Sequence, residues 1–188
     1  MNQQQEFLQY LHSTASDKVD FASRDHQNRL YRLAVQLADC PPRPRQEMAA
    51  DPGTPVEFRI ASLLLDSQLA VHAITRPLKI GIVFAMWGEH NRLHPRSDQN
   101  PNGEDALSVK LDQLAWLFDR TQIDWSLYAV DDGCPHKSGE IAATVGKSHQ
   151  YGDRLRVAWL EQHLPTFSGP LRDLKSCLLY TSPSPRDS

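Results

Sequence analysis

Long apolar runs are missing from this chain of 188 residues. The longest, Ile80 to Trp87, falls well short of the roughly 20 residues that a membrane-spanning helix takes. Cysteine is scarce: Cys40, Cys134 and Cys177 show no CxxC spacing, which excludes a disulfide framework and a zinc ribbon. An odd number of thiols fits a reduced, intracellular setting. Positive charge is not in excess, since 20 Lys and Arg stand against 23 Asp and Glu for a net charge of -3. That balance exerts no global pull towards nucleic acid or an anionic membrane. Arg43, Arg45, Arg92 and Arg96 form no basic run interleaved with aromatics, so no nucleic-acid partner is expected. The opening Met-Asn-Gln-Gln-Gln-Glu lacks the basic and apolar regions of a signal peptide, and a cytoplasmic location is the expectation.

What is present reads first as helix. Hydrophobic residues make up 40% and charged residues 23% of the chain, the composition of a soluble globular protein. Residues 3–39 carry two apolar faces at helical spacing. One holds Phe7, Tyr10 and Leu11; the other holds Leu30, Leu33, Ala34 and Leu37, with Asp25 as its expected N-cap. Cys40-Pro41-Pro42-Arg43-Pro44 then breaks the pattern, because proline lacks a donor and clashes with the preceding turn. The stretch to Pro55 reads as a linker. Glu57 to Ala73 predicts a further helix with Ile60, Leu63, Leu64 and Val71 on its inner side. The expected units are a helical region 1–40, a Pro-rich linker and helix 41–77, an α/β unit 78–175 and a tail 176–188.

From Leu78 the texture changes. Leu78 to Met86 is a short, mostly apolar run, as expected of a buried parallel strand. A polar loop, His90 to Gly103, precedes a helix over Asp105 to Arg120 with Leu107, Leu111, Leu114 and Phe118 on one side. Trp125 to Val130 reads as a second strand, Ser138 to Gln150 as a helix and Leu155 to Leu160 as a third strand. Such alternation implies an α/β fold with a parallel sheet and right-handed crossovers. Ligands in these sheets bind beyond the carboxyl ends of the strands.

Two loops lie at such ends: Met86-Trp87-Gly88-Glu89 and Asp131-Asp132-Gly133. A carboxylate pair there can accept hydrogen bonds from a ligand's N–H or hydroxyl groups, or hold a metal. Trp87 offers a flat stacking surface and Gly133 a tight turn. The same Asp-Asp-Gly is also ordinary turn chemistry, with aspartate capping local backbone.

The segment Leu78 to Leu164 resembles family-2 glycosyltransferases of the GT-A fold. Ala85-Met-Trp-Gly-Glu89 stands where that family's first strand turns. Ala129-Val-Asp-Asp-Gly-Cys-Pro-His-Lys-Ser138 is similar to its Val-Asp-Asp-Gly motif, and Arg156-Val-Ala-Trp-Leu160 to its third strand. The resemblance implies a Rossmann-like GT-A sheet, truncated here and preceded by a helical extension. It further implies transfer of a sugar from a nucleotide-diphosphate sugar to an acceptor hydroxyl, with Mg or Mn as the expected ion of the full-length parent. By position, Asp132 would contact the nucleoside, Asp131 would support the turn or the ribose, and Trp87, Glu89 and Gly133 would line the same pocket. The sequence departs from the family where Trp87-Gly88 replaces Tyr-Asn and Cys134-Pro135 replaces Ser-x. No Asp-x-Asp follows Asp132, since Asp153 and Asp173 stand alone. No metal ligand set and no catalytic base is therefore expected in this piece, and it is expected to be inactive by itself. The alternative reading is a non-catalytic nucleotide-binding or protein-interaction module. A nucleotidyltransferase is disfavoured, since no Gly-rich first loop with a signature Arg or Lys is present.

Other signals carry less. Gly146-Lys147-Ser148 has Ile141 where a P-loop needs glycine. His90 and His94 fall in a loop beside Pro95, and Cys134, His136 and His149 match no zinc spacing. Trp116 and Trp159 read as core or near-core residues. Cys177 to Asp187 back-translates to a string resembling the transposase adapter DNA of sequencing libraries, so natural sequence is expected to end near Lys175 or Ser176.

Overall fold

The computed structural model describes residues 3–160. Asp173, Cys177, the end of the expected 78–175 unit and the 176–188 tail lie outside them. The described residues form a mixed α/β structure of seven α-helices and one three-stranded parallel sheet. Among them no helix is long and apolar enough to cross a membrane.

Four helices come first: α1 (Gln3–Thr14), α2 (Arg24–Leu37), α3 (Pro42–Ala50) and α4 (Val56–His72). The N-cap of α2 is Ser23, whose Oγ accepts from the His26 N–H at 3.4 Å. Asp25 instead lies in the first turn, where its charge suits the positive end of the helix dipole. Leu30, Leu33, Ala34 and Leu37 are buried as their spacing predicts. The stretch read as a linker carries α3, because Pro42 sits at the first helical position, where its missing N–H costs nothing. The inner side of α4 is Phe58, Ala61, Ser62 and Leu65. Leu63, expected there, is 66% exposed. Apolar residues run most of the way round α4, so two stripes compete, and the one bearing Phe58 removes more area from water.

These helices share one core, in which Leu8, Leu11, Leu30, Leu37, Phe58 and Leu65 pack together. Buried Arg45 inside it donates to the Ser62 carbonyl at 3.2 Å and pairs with Asp66. Pairing is what makes a buried guanidinium tolerable.

The second half comprises β1 (Leu78–Met86), α5 (His90–Leu93), α6 (Ala106–Leu117), β2 (Ile123–Asp131), α7 (Ser138–Ser148), a 3-10 turn (Gly152–Arg154) and β3 (Leu155–Trp159). The strands lie in the order β1-β2-β3, all parallel. Both crossovers advance in the same direction, and a constant handedness puts their helices on one face. Ile82, Phe84 and Met86 of β1, Trp125, Leu127 and Ala129 of β2, and Leu155 of β3 meet Leu107, Leu111, Leu114 and Ala142 there. The other face, with Lys79, Gly81, Val83, Ala85, Asp124, Tyr128, Arg156 and Ala158, is exposed. β1 is thus not buried on both sides as its apolar run predicts. Its alternate residues reach solvent because no described helix covers that face.

Helix α6 joins the halves. It lines the second core, while its Trp116 packs against the first and stacks on Tyr31 with ring centroids 5.1 Å apart. Trp159, expected at or near the core, is 59% exposed at the end of edge strand β3.

Candidate functional site

The register pairs Met86 with Asp131, so β1 and β2 end side by side. The Asp132 N–H donates to the Met86 carbonyl at 3.3 Å and continues the ladder one step past β2. The two loops that follow are therefore neighbours. Each turns through a glycine in the left-handed region, Gly88 at φ 71° and Gly133 at φ 68°, a conformation that side chains disfavour.

Asp131 is buried and holds the second loop. Its Oδ1 accepts the Cys134 N–H at 2.7 Å and its Oδ2 accepts the Gly139 N–H at 2.6 Å. Residue Lys137, at the N-cap of α7, is left-handed at φ 59° and offers no side-chain acceptor. The Asp131 carboxylate, reaching over from the strand end, serves instead, as negative charge near a helix N-terminus is stabilising. Gly139 is required by this approach: a Cβ there would lie 2.8 Å from Asp131 Oδ2 and would also collide with the Trp159 indole nitrogen.

The other expected binding residues lie around this pin. Trp87 is 39% exposed and Gly133 is exposed at the turn. Asp132 is half-buried. Glu89 is committed to an ion pair with Arg92 at 2.9 Å, and Arg92 also binds Glu104 at 2.8 Å. A cavity of about 410 Å³ opens beside β1 between Ile82, Phe84, Met86, Leu93, Leu107 and Leu127, with Glu89, Arg92 and Lys110 among its polar lining. Of the five expected site residues, Glu89 alone lines it.

Three residues gather that sequence reasoning set aside. Cys134 is buried; its sulfur receives the Gly88 N–H at 3.1 Å and lies 3.3 Å from Ser138 Oγ and 3.7 Å from His136 Nδ1. Burial pushes this thiol's pKa up. The hydrogen bonds from the Ser138 hydroxyl, the Gly88 N–H and the His136 backbone and ring outweigh it and bring the pKa down from an ordinary 9.0 to about 7. His90, the first residue of the single-turn helix α5, stacks flat on His136 with centroids 4.7 Å apart and planes 12° apart. His94 caps that turn in extended backbone, so the two histidines do not share a helix face. His149 lies elsewhere, 3.2 Å from Asp112. The signal available in the sequence was position: Cys134 and Ser138 flank the start of a helix that follows a strand, where backbone N–H groups converge.

Both oxygens of Asp131 are occupied by backbone donors. The near-parallel planes of His90 and His136 keep their in-plane nitrogen lone pairs in two separate layers. Among the described residues no group of three His, Cys, Asp or Glu side chains is arranged to hold an ion.

No protein family, curated protein or solved structure matches the chain.

Proposed function

We propose that this chain is the nucleotide-binding front of a glycosyltransferase with a Rossmann-like GT-A fold, and that the loops after β1 and β2 clasp the nucleotide of a nucleotide-diphosphate sugar. The observation that carries this reading is the in-register ending of β1 and β2, which sets Trp87 beside Asp132 and Gly133 at the carboxyl edge of a parallel sheet. Ligands bind at such edges because backbone groups and loop side chains converge there.

In this reading Asp132 accepts hydrogen bonds from the nucleoside and the Trp87 ring lies against the base or sugar. Asp131 keeps the loop in shape through its two backbone acceptances. Glu89 and Arg92 form a charged wall of the adjoining cavity, with Glu104 holding Arg92 from outside its lining. The Mg or Mn ion expected of the parent enzyme does not fit the side chains described here, so no step is derived through it. The reading for residues 3–160 is binding of the donor, not transfer.

Thermal unfolding of the 188-residue chain with UDP-, GDP- and ADP-sugars tests it. A ligand that binds the native state at a hundredfold excess over its Kd stabilises by about 2.7 kcal/mol. We expect one nucleotide class to raise Tm and Asp132→Ala to abolish the rise. If no nucleotide sugar protects the wild-type chain, the reading fails and a protein-interaction module replaces it.

A further inference from the structure

The loops carry a second chemistry, separate from nucleotide binding. Around the Cys134 sulfur stand the Gly88 N–H at 3.1 Å, the Ser138 hydroxyl at 3.3 Å and the His136 ring at 3.7 Å. Hydrogen-bond donors converging on sulfur favour the thiolate, which is the reactive form of cysteine. A further observation comes from the neighbouring ring. Among the described residues the only buried side-chain nitrogen or oxygen without a hydrogen-bond partner is Nδ1 of His90, in the imidazole stacked on His136. A shielded, unmet polar atom is costly, and its ring stacks on the same His136 whose Nδ1 lies 3.7 Å from the sulfur.

We propose that Cys134 is a site of oxidative modification, at which a small uncharged hydroperoxide converts the thiolate to a sulfenic acid. The size of the reactant follows from burial. Cys134 is only 9% exposed, while Pro135, His136, Lys137 and Gly88 around it are exposed, so the sulfur lies one residue below the surface. In the reaction the sulfur attacks one peroxide oxygen. An S–O bond forms and the O–O bond breaks; sulfur is oxidised, peroxide is reduced, and the departing hydroxide (an alkoxide from an alkyl hydroperoxide) takes a proton from solvent to become water or an alcohol. The new oxygen adds to a sulfur already contacted by the Gly88 N–H at 3.1 Å and the Ser138 hydroxyl at 3.3 Å. The lowered pKa of Cys134, about 7, leaves a large thiolate fraction near neutrality.

Cys40 provides an internal control. It too is buried, but its sulfur donates to the Gln36 carbonyl at 3.9 Å, and burial together with Asp39 pushes its pKa up. The test is a timed pulse of hydrogen peroxide on the full chain, with dimedone trapping of sulfenic acid and mass spectrometry of the separate Cys40 and Cys134 peptides between pH 5.5 and 9.5. We expect Cys134 to be trapped at least tenfold faster than Cys40 at pH 7.5, with a half-maximal rate near pH 7. In Ser138→Ala that midpoint should move towards 9. Equal trapping of the two cysteines, or a midpoint that Ser138→Ala leaves in place, would overturn the proposal.

Discussion

The carboxylate of Asp131 and the backbone N–H of Gly139 lie 2.6 Å apart, joining the end of the central strand to the first turn of α7. With the Cys134 N–H at 2.7 Å on its other oxygen, Asp131 fixes the whole turn between strand and helix. Replacing it by alanine leaves two buried donors unmet, each costing about 1–3 kcal/mol. Asp131→Ala is expected to lower unfolding free energy by roughly 2–4 kcal/mol, and Asp131→Asn, which keeps one acceptor oxygen, by about half that. Urea denaturation reads both; equal midpoints for wild type and Asp131→Ala would contradict the pinning role.

Gly139→Ala tests the same joint from the opposite side. The added methyl would lie 2.8 Å from Asp131 Oδ2 and 3.0 Å from its Cβ. Overpacking of this kind costs about 1–3 kcal/mol. The variant should melt lower even though alanine favours helices more than glycine does. A Tm at or above that of wild type would show that the turn yields easily.

The Arg45–Asp66 pair should be asymmetric. Arg45 is fully buried in the helical core, whereas its partner is partly exposed. Asp66→Ala strands a buried charge and is expected to cost about 3 kcal/mol. Arg45→Met removes the charge with its need for a partner and should cost less. Chemical denaturation of the two variants side by side gives the order, and a milder loss for Asp66→Ala would refute it.

Stability should rise with pH between about 7 and 9 through Cys134. Its folded pKa of about 7 lies below the ordinary 9.0. A group with a depressed folded pKa stabilises fully above its unfolded value and loses that contribution as pH falls through the folded one. The difference in unfolding free energy between pH 9 and pH 6.5 should therefore shrink in Cys134→Ser. An identical difference in variant and wild type would exclude this linkage.

Much of the second half was legible because its periods are clean. β1 occupies the predicted Leu78–Met86, and β2, β3, α6 and α7 lie within three residues of their predicted bounds. The misses have local causes. Prolines at the start of α3 look like breakers, yet at Pro42 they are compatible with a first turn. On α4 two apolar stripes compete, and only packing chooses the one with Phe58. Trp159 shares the helix-covered face with Leu155 and reaches Gly139, but it closes the outer strand of the described sheet and stays 59% exposed. At the site, the Asp-Asp-Gly turn was readable, while the gathering of Cys134, His136 and His90 was not. His90 and His136 stand 46 positions apart, and only the register of β1 on β2 brings their loops together.

Helix α6 has a consequence for anyone trimming this protein. One side of it closes the sheet's core through Leu107, Leu111 and Leu114, and on the other Trp116 stacks on Tyr31 of the helical half, while Arg24 of α2 grips Asp105 and Asp112. It acts as a party wall between two rooms. A cut before Leu78 would not release a tidy sheet unit but one with a raw aromatic flank and two carboxylates that have lost Arg24. The two halves should therefore melt, swap and be expressed as one piece.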